Sequence, residues 1–269
     1  MPDYVRPEQP QDALARLAEP GSRPVVLGPR PVAWPYAGAD TLVDLRALGL
    51  AHVTADADGG LRLGGLASLA ALAESPLLTS GPGRVLRQAA RLAAQPGLLH
   101  LATLAGALLS DRGAPELRLA LLALDAVLVV ETPNGRAQQN VDAPVPAGAL
   151  VVEVLLPALA GSAALARVAR APRDLAIVAC VARVEAVDGI CKAVRLALAG
   201  ASPRPRRVLA AEHALQGQAL TAAALDVAAQ AAAESAAPVG DFRGSVEYRL
   251  AMTRLLARRA LAEATSPGQ

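Results

Sequence analysis

Two residues, Asp188 and Gly189, stand between two apolar runs at 175–187 and 190–199 and decide how those runs pair. An Asp-Gly pair flanked by strand-like sequence is a strong two-residue hairpin signal, because both positions accept the positive φ that such a turn requires. The runs are therefore expected to form antiparallel strands, with a third strand at 164–170 beside them. Ala-rich stretches with apolar stripes follow at 210–215, 220–233 and 246–263 and read as helices. A Pro-rich connector at 200–206 separates them from the strands. Strands followed by helices predict an α+β C-terminal domain over 161–269, built on an antiparallel three-stranded sheet with helices.

The hairpin also settles the two cysteines, Cys180 and Cys191. Its register puts Cys191 opposite Ala186 and Cys180 further along the same strand. At about 3.3 Å per residue the sulfurs lie on the order of 20 Å apart, too far for a disulfide. Both read as small core residues. A cysteine-bound iron–sulfur cluster normally needs four thiolates. His52, His100 and His213 are isolated, with no His-x-x-x-His or Glu-x-x-His spacing. No metal is expected on this chain.

Upstream the pattern changes. Residues 1–55 read as a small βαβ unit, with a helix at 12–18 ended by Glu19-Pro20-Gly21 and strands at 24–28, 41–45 and 51–55. Residues 56–160 read as a mixed α/β unit. It has a strand at 61–64, helices at 68–74 and 83–94, a loop at Thr103-Leu104-Ala105-Gly106-Ala107, a helix at 116–123, and strands at 126–131 and 151–155. The turn Pro133-Asn134-Gly135 lies between the last two.

Composition narrows the function classes. The chain is 53% hydrophobic and 19% charged, which is globular. Aromatics make up only 2%, so Ala, Leu and Val supply the packing. Tyr4, Trp34, Tyr36, Phe242 and Tyr248 are the only side chains able to stack on a ring. A net charge of +2, with no basic cluster beyond Arg204, Arg206 and Arg207, argues against nucleic acid as a partner. The apolar run at 117–130 contains Arg118 and Asp125 and is too short and charged to span a bilayer. The opening Met1-Pro2-Asp3-Tyr4-Val5-Arg6-Pro7 is polar, so no signal peptide is expected and the expected location is the cytoplasm.

Several motifs occur in one order along the chain. They are Tyr4-Val5-Arg6-Pro7 with Asp12-Ala13-Leu14, Thr41-Leu42-Val43-Asp44-Leu45, and Leu61-Arg62-Leu63-Gly64-Gly65-Leu66-Ala67-Ser68-Leu69. Asp174-Leu175-Ala176-Ile177-Val178 and Ile190-Cys191-Lys192-Ala193-Val194-Arg195 follow. The last is Asp241-Phe242-Arg243-Gly244-Ser245-Val246-Glu247-Tyr248-Arg249, ending in Arg258-Arg259-Ala260-Leu261. Together they resemble the FAD-binding middle subunit of the molybdopterin dehydrogenase family, which includes the xanthine dehydrogenase and carbon monoxide dehydrogenase flavoproteins. The resemblance implies a two-part FAD-binding domain before the C-terminal domain. It also implies an iron–sulfur small subunit that delivers electrons, a molybdopterin-binding large subunit that oxidises substrate, and an external electron acceptor.

The resemblance further implies three cofactor-contact regions. In the first the family reads Ala-Gly-Gly-Thr-Asp/Ser-Leu, and this chain has Leu27, Gly28 and Pro29. One glycine remains, and Pro29 has no N–H to offer a phosphate. In the second the family reads Thr-Ile-Gly-Gly-Asn. Here Thr103 and Gly106 remain, while Ala105 and Ala107 replace a glycine and the asparagine. Asp111 follows, where the family often has a Ser/Asp that meets the cofactor. In the third the family reads Lys-x-x-Arg-Arg-x-x-Asp, matched by Arg167, Arg170 and Asp174. Arg167 or Arg170 near the flavin edge is one reading of that segment; strand-end charges with a local Arg–Asp pair is the other.

Backbone N–H groups bind a pyrophosphate where the chain approaches closely, which favours glycine. If position 105 required positive φ, Ala105 would cost roughly 1–2 kcal/mol. Loss of the asparagine amide would cost about 1.5–3 kcal/mol more. With both loops altered, binding is expected to weaken by several kcal/mol, a factor of about a thousand or more. Two functions stay open: an FAD-binding middle subunit, or a flavin-free structural and interaction subunit of the same kind of complex.

Overall fold

The computed structural model describes residues 1–26, 28, 36–110, 115–158, 160–172 and 174–266. In chain order the N-terminal elements are β1 (Asp3–Val5), α1 (Pro10–Ala18), β2 (Ser22–Pro24), β3 (Thr41–Val43), β4 (Val53–Ala55), β5 (Leu61–Gly64), α2 (Leu69–Glu74), α3 (Arg84–Ala93), α4 (Leu104–Leu109) and α5 (Pro115–Ala123). Then come β6 (Val127–Thr132), β7 (Gly135–Asn140), β8 (Leu150–Leu156), β9 (Ser162–Val168), β10 (Val178–Val187), β11 (Ile190–Ala199), β12 (Arg206–Arg207), α6 (Leu209–Leu215), α7 (Ala222–Glu234) and α8 (Val246–Thr265). The chain divides into two units. One comprises Met1–Ser75, Ala93–Gly113 and Ala126–Ala158; the other comprises Pro76–Leu92, Ala114–Asp125 and Leu159–Gln269. Among the described residues no helix is long and apolar enough to cross a membrane.

In the first unit, β1, β3 and β2 form a parallel sheet in that order, with α1 against it. Helix α1 opens with Pro10 in its first turn, where the missing N–H costs nothing. The strand expected at 51–55 exists as β4, but it does not join this sheet. It forms a hairpin with β5 through the turn closed by the Asp56 N–H to the Gly60 carbonyl at 2.8 Å. That hairpin begins a five-stranded antiparallel sheet ordered β4-β5-β8-β6-β7. Apolar alternation marks a strand but not the sheet it enters, which is why the assignment failed. The edge strand β7, Gly-Arg-Ala-Gln-Gln-Asn, is almost wholly exposed and gave no apolar signal at all. Val43, Leu45, Val129, Leu150 and Val152 share one core with Ala13 and Leu14 of α1.

In the second unit the Asp188-Gly189 turn forms as expected, with φ of 51° and 75°. Cys191 pairs with Ala186 and Cys180 with Leu198, and both thiols are free and buried. Burial pushes both thiols' pKa up. The sheet has four strands rather than three, ordered β12-β11-β10-β9, because Arg206–Arg207 of the expected connector pairs with β11. Alternate residues Val178, Cys180, Ala182 and Val184 of β10 pack into the core with Leu256, Ala257 and Ala260 of α8. The opposite face meets α5.

The most charged part of that α5-facing side is a hub around Asp125, directly after α5. Asp125 adopts a left-handed φ of 50°. Its carboxylate lies 2.7 Å from Arg183, 2.7 Å from Arg195 and 3.4 Å from Arg207. Arg183 also donates from Nε to the carbonyl of Ala123 at 3.0 Å, filling one acceptor left open at the helix end.

Candidate functional site

The segment Thr103–Ala107, expected as an open loop, is the start of helix α4. Thr103 is its N-cap: the Gly106 N–H donates to Thr103 Oγ1 at 3.1 Å. Ala105 is helical, and Asp125 and Asp188 are the only non-glycine residues with positive φ among those described. The strain expected at Ala105 therefore does not arise. Ala105 and Ala107 are buried in the helix, at 7% and 5% exposure.

Helix α2 starts the same way, and the two starts are tied together. The Ala71 N–H donates to Ser68 Oγ at 3.0 Å. Ser68 and Thr103 form an antiparallel bridge. Across it, Leu69 N–H donates to the Ala102 carbonyl and Leu104 N–H to the Ala67 carbonyl, each at 2.9 Å. Ala70 N–H reaches the Leu99 carbonyl at 2.9 Å, and Ala105 N–H the Gly65 carbonyl at 2.8 Å. Each helix thus has its first three amides satisfied, two by the segment around the other helix and one by its own cap. The signal for this arrangement is visible in the sequence: Ala67-Ser68-Leu69-Ala70 and Ala102-Thr103-Leu104-Ala105 repeat one pattern.

Gly28 lies against α4. A β-carbon on Gly28 would sit 3.3 Å from the Gly106 carbonyl oxygen and 3.5 Å from the Ser110 β-carbon. The two segments paired by the resemblance are therefore adjacent. Leu27, Pro29 and Asp111 lie outside the described residues. FAD carries a pyrophosphate that needs donors, and the amides of Leu104, Ala105 and Gly106 already have partners. The Ala107 N–H goes to the Thr103 carbonyl at 2.9 Å, as a helix requires. The residues at α4 do not fit such a cofactor as a cradle of N–H groups, and with Ala105 and Ala107 buried they offer it Gly106 alone as a wall.

The third region belongs to the second unit. Arg167 has a side chain only 15% exposed. Its Nη1 donates to the Pro172 carbonyl at 2.8 Å, and its Nη2 to the Asp174 carbonyl at 2.5 Å. Its Nε lies 2.8 Å from Glu116 Oε1, an ion-pair distance without hydrogen-bond alignment. The expected local Arg–Asp pair is thus made to the backbone of Asp174. The Asp174 carboxylate instead accepts the Leu175 N–H at 2.8 Å. Arg167 holds β9 to the carbonyls of Pro172 and Asp174 and pairs with Glu116 of α5, with both of its Nη groups engaged.

Arg170, by contrast, is exposed and reaches Phe242, with its guanidinium carbon 5.9 Å from the ring centroid. Phe242 sits on a tight turn. Asp241 and Gly244 exchange two backbone hydrogen bonds at 3.1 Å. Asp241 Oδ1 accepts the N–H groups of Arg243 and Gly244, at 2.9 and 3.2 Å. The same carboxylate binds the Arg243 and Arg249 guanidinium groups, each at 2.8 Å. Desolvation alone would raise the Asp241 pKa, but the hydrogen bonds from Arg243 and Arg249 outweigh it and hold it below the usual carboxylate range. Arg249, only 4% exposed, also donates to the carbonyls of Ile177 at 2.6 Å and Gly200 at 3.3 Å. The segment Asp241–Arg249 is among the motifs of the resemblance, but nothing in the sequence marks Asp241 as the centre of this scaffold.

A second depressed carboxylate lies in the first unit. Asp44 is fully buried and takes hydrogen bonds from Arg46 and from the Tyr4 hydroxyl. The Arg46 bonds outweigh burial and, with Tyr4, hold the Asp44 carboxyl well below its ordinary pKa. This explains why Tyr4 and Asp44 belong to the motifs named above: they fasten β1 to the end of β3.

Residues 1–159 match the family model described as the FAD binding domain in molybdopterin dehydrogenase, and residues 163–264 match the CO dehydrogenase flavoprotein C-terminal domain. The 6-hydroxypseudooxynicotine dehydrogenase complex subunit alpha of Paenarthrobacter nicotinovorans is 28% identical over 97% of this chain and 94% of its own. The carbon monoxide dehydrogenase medium chain of Hydrogenophaga pseudoflava is 24% identical, over 96% and 95%. Among solved structures, reconstituted CO dehydrogenase from Oligotropha carboxidovorans superposes with a TM-score of 0.87 at 25% identity, over 98% of this chain and 97% of that one.

Proposed function

We infer the role of this chain from its membership: it belongs to the family of FAD-binding domains of molybdopterin dehydrogenase, joined to the C-terminal domain of the CO dehydrogenase flavoproteins. It is the FAD-binding medium subunit of a molybdenum hydroxylase-type complex. We propose that its partners are an iron–sulfur small subunit and a molybdopterin-binding large subunit, and that the chain lies on the electron path from the clusters to an external acceptor. Bound FAD would supply the capacity to accept and release those electrons.

The observation that carries this reading is the approach of Gly28 to Gly106 within a chain that matches both family domains end to end. In our reading α4 shapes the cofactor site, with Gly106, which has no side chain, leaving room beside the first loop. Donors for the pyrophosphate then come from outside α4. Leu27, Gly28 and Pro29 stay the proposed first-loop contacts, with Pro29 giving no N–H. Arg167 acts as a support of β9 rather than as a cofactor ligand, since both of its Nη groups are already engaged and its side chain is only 15% exposed.

The test is the visible flavin spectrum of the purified complex, together with the FAD extracted per chain. One FAD per chain is expected. A folded, colourless complex that yields no FAD would overturn the reading in favour of a flavin-free subunit.

A further inference from the structure

Phe242 is the only phenylalanine in a chain with very few aromatics, and it is 86% exposed. An exposed apolar side chain is ordinary when it stands alone on a loose loop. This one does not. Its turn is closed by two backbone bonds, held by the Asp241 carboxylate, and fastened through buried Arg249 to the carbonyls of Ile177 and Gly200. Val246 and Tyr248, each 38% exposed, follow in the first turn of α8. The backbone that carries the ring is therefore held in place before any partner arrives, which lowers the ordering cost of association.

Two guanidinium groups flank it. The guanidinium groups of Arg170 and Arg243 each lie 5.9 Å from the ring centroid. Arg243 shares Asp241 with Arg249. Among the described residues no carboxylate pairs with Arg170. Arg170, Arg243 and Arg249 against Asp241 and the exposed Glu247 leave one net positive charge on this segment. An aromatic ring flanked by arginines is the composition found at the energetic centre of protein interfaces.

We propose that Phe242, with Arg170 and Arg243 beside it, is a preformed docking knob for a partner subunit whose surface offers an apolar pocket rimmed by carboxylates. The ring fills the pocket, and the rim carboxylates pair with the two guanidinium groups. Those groups fix the approach and give the association its salt dependence. The proposal rests on the reading of this chain as one subunit of a larger assembly.

The experiment isolates the assembly from the source cell through a tag on this chain. Native mass spectrometry identifies the subunits that come with it, and dilution gives their dissociation constants. Phe242→Ala is expected to weaken the hold on a partner subunit by about thirty-fold, the mark of an interface hot spot. Arg170→Glu is expected to weaken it as well, by opposing the carboxylate rim. Phe242→Trp is expected to keep it. Because the ring is exposed, the unfolding midpoint of the isolated chain should be the same for Phe242→Ala and wild type, which separates docking from folding. Partner subunits held by Phe242→Ala as tightly as by wild type would overturn the proposal. So would a self-association abolished by Phe242→Ala, since the pocket would then be on a second copy. A wild-type chain that carries no other subunit would instead overturn the subunit reading itself.

Discussion

The start of α4 and the turn at 241–244 are built by the same local device and end with opposite surfaces. In each, a side-chain oxygen accepts a backbone N–H three residues on: Thr103 from Gly106, and Asp241 from Gly244. Both lie in segments that carry the family resemblance. At α4 the start of the helix turns inward, while Leu109 at its end is 49% exposed. The amides are taken by Gly65, Ala67 and Thr103, and the side chains of Ala105 and Ala107 are buried. At the turn the polar groups also point inward, toward Arg249, but the residue at the tip is Phe242 and it faces solvent. A family motif thus specifies how the backbone is held. It does not specify which chemical groups are left to meet a ligand, and the residues between the fixed points decide that.

The two turns differ in how much of the molecule they hold. Arg249 joins Asp241 to the start of β10 and the end of β11, so Arg249→Met should be the more damaging change. It leaves the carbonyls of Ile177 and Gly200 without this donor and Asp241 without one of its two guanidinium partners. The expected loss is about 3 kcal/mol in urea unfolding, with partial exposure of Asp241 keeping it at the lower end for a broken buried pair. Thr103→Ala removes one cap oxygen while the cross-bonds to Gly65 and Ala67 remain. About 1 kcal/mol is expected. If Thr103→Ala proved as costly as Arg249→Met, the two turns would be equivalent supports, and the contrast drawn between them would fail.

Much of this could be read from residues alone, where one physical rule dominated. The Asp188-Gly189 hairpin and the distance between the cysteines followed from turn chemistry and strand rise, and the register Cys191 to Ala186 is as expected. Helices α2, α7 and α8 begin at Ser68, Thr221 and Ser245, each a capping residue before an apolar run. Other features had no local signal. Strand β7 is polar because it lies at an edge, and β1 is only three residues long. The left-handed Asp125 is held by arginines from three strands, β10, β11 and β12, far away in sequence. The nature of α4 was missed for a different reason. The glycine-to-alanine changes at its start looked like damage to a loop, whereas the neighbouring Ala-Ser/Thr-Leu-Ala pattern at 67–70 marked them as helix sequence.

The smallest expected effect tests that last point most directly. Ala105 sits in the first turn of α4 with negative φ, and its N–H is held by the Gly65 carbonyl at 2.8 Å. A glycine there gains no useful conformational freedom and releases no donor. Ala105→Gly should therefore lower stability by about 0.5–1 kcal/mol, the ordinary cost of glycine within a helix, and leave FAD affinity unchanged. Titration of the FAD-depleted variant and wild type, followed by the change in flavin fluorescence, measures the second quantity. A ten-fold gain in affinity would mean that the first turn of α4 opens to give its N–H groups to the pyrophosphate. The alanine would then restrain that opening, and α4 would be a cradle held shut rather than a wall.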